Sequence, residues 1–150
     1  MTRINANLSV KLLSDEHLLA EHREIKRIPD SLKKAIKSGS INKIPNTFCL
    51  GTGHVLFFIN KLQFVYNRYI DIHNECLLRG FAVEDYSSNF SSINDILYWN
   101  DWKSSLDANL AIKERIIERV NNSTKRCFHY YGKQISKNDY IKIILNGKEN

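Results

Sequence analysis

The 150-residue sequence is poor in several features that mark common protein classes. No stretch approaches the roughly 18 consecutive apolar residues that a membrane helix needs. The N-terminus lacks the apolar run of a secretory signal, so a soluble, intracellular chain is expected. Cysteine is scarce: Cys49, Cys76 and Cys127 are odd in number, widely spaced and without a Cys-x-x-Cys pair. That pattern argues against a zinc or dithiol redox centre and reads as free thiols. No His/Cys/Asp/Glu grouping has metal-ligand spacing, so no metal is expected and metal-dependent nuclease chemistry has little support. Gly51-Thr52-Gly53-His54 is not a phosphate loop, because the glycine spacing is wrong and no Lys-Ser or Lys-Thr follows. Internal repeats and low-complexity segments are also missing.

What remains is basic and foldable. Twenty-two Lys+Arg against 16 Asp+Glu give a formal charge of +6, and 43% hydrophobic with 11% aromatic residues suffice for a packed core. The length suits one domain spanning 1–150. A positive balance with five histidines and few Gly or Pro is common in nucleic-acid binders, but ordinary enzymes share it.

Met1 to Val10 is short of helix-start signals and reads as an extended arm. Ser14 is an N-cap candidate followed by Asp15 and Glu16, whose charges suit the positive end of a helix dipole. A helix should run from Asp15 towards Ser38, broken near Ile28 by Pro29, with a second segment from Asp30 to Gly39. Phe58, Leu62, Val65, Tyr69, Ile72 and Cys76 recur at helical spacing and predict a central core helix stopped at Gly80. Residues 82–100 read as a long connection. A third helix is expected from about Trp102 to Val120, with Leu106, Leu110 and Ile117 on one side and Arg115 and Arg119 projecting from the other. From Asn121 the tail reads as an irregular loop or docking segment, and Tyr140 to Leu145 as a short helix or strand. The expected fold is therefore all-α: a single compact domain of three principal helices, long connecting loops and an N-terminal arm.

On the first helix His17, Glu21 and Glu24 fall at i, i+4 and i+7 and share a face, with Arg23 and Arg27 on a neighbouring one. A carboxylate among guanidiniums could be a general acid or base; mixed charges on a helix are also the pattern of a solvated face. Thr2 is small enough for Met1 to be removed. A terminal α-amine, with a pKa of about 7.7–8.0, is partly neutral and nucleophilic at physiological pH. Nearby arginines would lower that pKa further, although an ordinary processed terminus is the other reading. His54 fits a hydrogen-bonded structural histidine better than a ligand. Lys125 to Lys133 interleaves cations with Phe128, Tyr130 and Tyr131, which could stack on bases or pack in the core.

Four blocks, Met1-Thr2-Arg3-Ile4-Asn5, His17-Leu18-Leu19-Ala20-Glu21-His22-Arg23-Glu24, Leu50 to Phe58 and Glu75 to Phe81, followed by Tyr130-Tyr131-Gly132-Lys133, occur in this order. Together they resemble the bacteriophage pyrimidine-dimer DNA glycosylase and abasic-site lyase family, the phage endonuclease V family, over roughly residues 1–133. The resemblance implies a DNA repair enzyme acting on cyclobutane pyrimidine dimers in duplex DNA. Its nucleophile would be the Thr2 α-amine and its catalytic carboxylate Glu24. Arg3, His17, Arg23, Arg27, Arg115, Arg119, Tyr130 and Lys133 would contact DNA carrying UV damage or abasic sites. It further implies no cofactor and the cytoplasm of a phage-infected bacterial cell. From the sequence itself no membrane partner is expected, and with no long heptad seam to pair, a monomer is expected. The chain departs from the pattern at Cys127, where the family has tryptophan, at Phe128 in place of a tyrosine, and at Glu16 in place of an amide. Its tail after Lys133 is longer and has no assigned role. Two alternatives stand beside the leading reading: a lyase for abasic sites or other lesions with weak dimer preference, and a non-catalytic basic DNA-binding protein.

Overall fold

The computed structural model describes residues 4–147. Thr2 and Arg3, two of the expected site residues, lie outside them. The chain is a mostly helical single domain with one small hairpin.

Helix α1 (Asp15–Ile25) starts as expected, with Ser14 Oγ accepting the His17 N–H. The break comes at Lys26, slightly before the expected position, and α2 (Arg27–Ser38) follows at once. Pro29 is thus the third residue of α2 instead of the last of α1. It has no N–H for the Ile25 carbonyl, so α1 must end there, while its fixed φ suits the first turn of a new helix. Gly39, at φ 71°, closes α2.

The Gly51–Gly53 turn leads into α3 (His54–Phe58). Gly53 is required on two grounds: its φ is 91°, and a Cβ there would lie 3.2 Å from Cys49 Sγ. The central helix α4 (Leu62–Leu78) buries Leu62, Val65, Tyr69, Ile72 and Cys76 as expected, while Phe58 belongs to α3. In the following connection a short helix α5 (Ser87–Ser91) inserts Phe90 into the core. Trp102 packs among Phe48, Phe57, Phe58 and Phe64 instead of starting a helix.

Helix α6 (Leu106–Asn122) begins where Ser105 Oγ accepts the Ala108 N–H. The expected apolar side is corrected here. Leu106 and Leu110 are 81% and 55% exposed, while Ala108, Ile112, Ile116 and Val120 face the core. The i, i+4, i+8 run of β-branched residues sets the face, and Leu106 precedes the point where α6 meets the core.

The tail from Asn121 is also corrected. Strand β1 (Cys127–Tyr130) pairs antiparallel with β2 (Lys133–Ser136), in register Tyr130 to Lys133. Tyr131 and Gly132 at φ 50° and 76° form a two-residue hairpin turn of left-handed residues. Helix α7 (Lys137–Asn146) follows, with Ser136 Oγ accepting the Asp139 N–H. In the assembled domain α1 packs on α4, β1 leans on α1, and α7 covers α6 and the hairpin.

Candidate DNA-binding groove and active site

The site is built around the point where the N-terminal arm enters the fold. Glu21, on the inner face of α1, is 3% exposed and meets Arg68 of α4, itself 6% exposed, through two contacts of 2.9 and 3.0 Å. The Asn5 backbone N–H and side-chain amide donate to the same carboxylate at 3.1 and 2.6 Å. Burial opposes ionisation of Glu21, but Arg68 and Asn5 outweigh it and hold its pKa below the usual carboxylate value.

A second tie comes from α3. The Ile4 N–H donates to His54 Nε2 at 3.0 Å, and Nδ1 lies 2.9 Å from the Cys49 carbonyl. One nitrogen must accept and the other donate, so His54 is neutral with its proton on Nδ1. Burial pushes its pKa down to about 4. The expected structural histidine is therefore present, and it grips the arm. Arg115 of α6 completes the hold, donating to the Ile4 carbonyl and Asn5 Oδ1 at 3.3 Å each.

Protonating His54 would convert its acceptor nitrogen to a donor and lose the Ile4 bond. Between the unfolded value near 6.5 and the folded value near 4, the unfolded chain binds more protons, so stability falls as pH drops through that window. We expect about 3 kcal/mol to be lost this way by pH 4. Urea titrations from pH 4 to 7 should show a shallower slope in His54→Leu, and equal slopes would refute the assignment.

Next to the clamped arm, a small hollow is lined by Asn5, His17, Glu21, Glu24 and Arg119 among others. The helical trio His17, Glu21 and Glu24 thus shares one hollow, with distinct parts: Glu21 holds the arm, and Glu24 is half-buried at its wall. The hollow adjoins a groove of about 610 Å³ between α1 and α6, shared through His17, Ala20 and Arg119. Arg23, Arg115, Arg119 and Lys125 line this groove, against Glu16 and Glu118. Arg115 and Arg119 therefore face α1 across the groove instead of standing apart from it.

Other expected contacts lie elsewhere. Arg27 is exposed at the start of α2 and does not line the groove. The Tyr130 hydroxyl donates to the Lys11 carbonyl at 2.7 Å, and Lys133 is exposed opposite Tyr130 on the hairpin. Glu16 turns to the hairpin, accepting from His129 N and Nδ1. Burial works against its charge, yet these bonds leave its pKa lowered. Asn5 and Arg68 escaped sequence reasoning. An arginine beside the apolar stripe of α4 was the available signal, since a guanidinium there requires a buried partner.

The sequence model of a family described as pyrimidine dimer DNA glycosylase matches residues 1–89. The chain belongs to the pyrimidine dimer DNA glycosylase family. It is thus a DNA repair glycosylase, with DNA as its substrate. The matched span of the glycosylase includes the arm, α1 to α4, His54 and both members of the Glu21–Arg68 pair. The α6 wall of the groove, the hairpin and α7 lie beyond it. Among the described residues no helix is long and apolar enough to cross a membrane, and no group of three or more His, Cys, Asp or Glu is arranged to hold a metal.

Proposed function

We propose that the glycosylase also cleaves the DNA strand as an abasic-site lyase, using the Thr2 α-amine exposed by removal of Met1. The observation behind this reading is the clamp of five hydrogen bonds on Ile4 and Asn5 from His54, Glu21 and Arg115, beside the hollow containing Glu24. Thr2 precedes Ile4 by two residues, and a trans peptide advances the chain at most about 3.8 Å per residue. The clamp thus holds the residues that follow the proposed nucleophile at the hollow that Glu24 also lines, the kind of anchoring that raises effective concentration.

In this mechanism the amine nitrogen bonds to C1′ of the damaged nucleotide and the glycosidic C–N bond breaks, its electron pair leaving with the base. Opening of the sugar ring gives a protonated imine. The imine withdraws electrons, a base removes a C2′ proton, and the 3′ phosphate departs in β-elimination. Glu24 stabilises the cationic intermediate and relays protons. Arg3, His17, Arg23, Arg27, Arg115 and Arg119 bind backbone phosphates, with Tyr130 and Lys133 extending the contact along the hairpin. The reaction draws on no metal or cofactor, and the protein works as a monomer.

Borohydride reduces an imine to a stable amine, so trapping is the direct test. Processed protein should form a covalent adduct, mapped to Thr2, on duplexes containing a thymine dimer or an abasic site, and none on undamaged DNA. One residue added ahead of Thr2 should sharply reduce the adduct, because the Thr2 nitrogen becomes a non-nucleophilic amide and the new terminal amine is displaced by about 3.8 Å, whereas Thr2→Gly should retain it. Adducts of equal yield from both variants would sink the terminal-amine mechanism. Trapping on the abasic duplex alone would instead identify a lyase with weak dimer preference.

A further inference from the structure

Two carboxylates line the basic groove, and they differ in how they are held. Glu118 is exposed on α6, where its side chain can swing aside for an arriving phosphate. Glu16 is tied in place. It sits on the first turn of α1, where the helix dipole favours its charge, and its side chain is 22% exposed. The His129 backbone N–H donates to both its oxygens at 3.1 Å, and His129 Nδ1 lies 2.8 Å from Oε1. Burial opposes ionisation of Glu16, but the bonds from His129 and the charge of Lys125 leave its pKa lowered.

The strand that carries His129 is anchored to the same end of α1. Phe128 packs 5.2 Å from Tyr140 of α7 between ring centroids, and the Tyr140 hydroxyl accepts the Ser14 N–H at 3.0 Å. His129 therefore reaches Glu16 from a fixed frame. An ionised carboxylate can only accept, so Nδ1 carries a proton in either charge state of the ring. The proton exchanged with solvent is then the one on Nε2. With Nε2 bare the pair carries one negative charge, and with Nε2 protonated the pair is neutral. The groups that face it are His17 and Arg23 from α1, Arg115, Glu118 and Arg119 from α6, and Lys125 from the connecting segment. Across the hairpin His129 opposes uncharged Gln134, and from α7 the Tyr140 hydroxyl senses the charge of Glu16. Among these residue types only histidine ordinarily changes charge between pH 6 and 8, so His17 is the competing source of any pH effect.

We propose that Glu16, held against the groove wall by the positioning residue His129, is a charge gate on DNA affinity: ionised, it repels a backbone phosphate, and a proton on His129 cancels that repulsion. The proposal rests on the reading of the groove as the DNA site. Because Glu16 cannot swing away, a phosphate in the groove either binds more weakly or draws a proton onto His129. Binding without a lesion is almost wholly electrostatic, so the gate falls chiefly on undamaged DNA.

Equilibrium binding of a short undamaged duplex at fixed salt tests it. Glu16→Gln should bind about 3- to 10-fold tighter than the wild-type protein at pH 8, the effect of one exposed charge. The wild-type protein should itself tighten by about 3- to 10-fold between pH 8 and 6. His129→Asn puts an amide N–H where Nδ1 was but cannot become charged, so it should match the wild type at pH 8 and lose most of that tightening. Full tightening in His129→Asn would assign the proton to His17 and overturn the gate. Unchanged or weaker binding by Glu16→Gln would overturn it too, and Arg119→Gln shows which premise failed. Wild-type affinity in Arg119→Gln as well would mean that the groove is not the DNA site; weakened affinity would keep the groove and discard the carboxylate. If a variant fails to fold, the ring proton shifts of His129 in the wild-type protein still decide. Their titration should move to higher pH when duplex is bound, and no movement would refute the coupling. None of these readouts involves imine chemistry, so failure of borohydride trapping would be read separately.

Discussion

Glu24→Gln is expected to slow cleavage of dimer-containing duplex by about 10²–10⁴-fold, the usual contribution of a positioned acid or base. Affinity for the same duplex should stay within about threefold. The carboxamide keeps the shape of a half-buried side chain in the hollow beside Asn5 and Arg119, and it leaves Arg23, Arg115 and Arg119 along the groove. Only the charge that the proposed mechanism sets against the cationic intermediate is lost. Single-turnover rates measured alongside equilibrium binding separate the two. A variant cleaving at the wild-type rate would remove Glu24 from the chemistry, and one that lost binding instead would make it a structural residue.

The second large effect concerns stability. Glu21→Gln leaves the buried Arg68 without a counter-charge and weakens both bonds from Asn5. Breaking one side of a buried ion pair costs about 3–5 kcal/mol. That is a large part of the about 5–15 kcal/mol by which domains are stable. Urea unfolding at pH 7 should show this loss. The double variant Glu21→Gln with Arg68→Met should recover much of it, since the uncompensated charge is then gone. A loss below about 1 kcal/mol in the single variant would mean that the pair is not the anchor of the arm.

These two carboxylates show what could be read from sequence. Their i, i+4, i+7 spacing with His17 placed all three on one face of α1, and the structure gathers them in one hollow. The division of labour was not legible, because it depends on Arg68 and Asn5 arriving from separate segments. The central stripe on α4 was readable since every position points to one core. The stripe on α6 misled because leucines at its exposed start compete with the β-branched face that packs. The hairpin was missed for a different reason. Its turn places Tyr131 at φ 50° without the usual Asn or Asp. The compensation is tertiary: Asp15 accepts the Tyr131 and Gly132 N–H groups at 3.2 and 2.9 Å while also binding Arg79 at 2.9 Å. No local pattern announces such a turn, because the residue that holds it lies more than a hundred positions upstream.

The joining of Ser14 to Tyr140, 126 residues apart, together with that of Ile4 to Arg115, also shapes how the protein is made. At about 5–20 residues per second, the ribosome takes roughly 6–25 s to add Tyr140 after Ser14. Throughout that interval the nascent chain holds α1 and its arm without their closing partners. The end of the chain proposed to carry the nucleophile is synthesised first and completed last, so an incomplete chain is left without the closed groove.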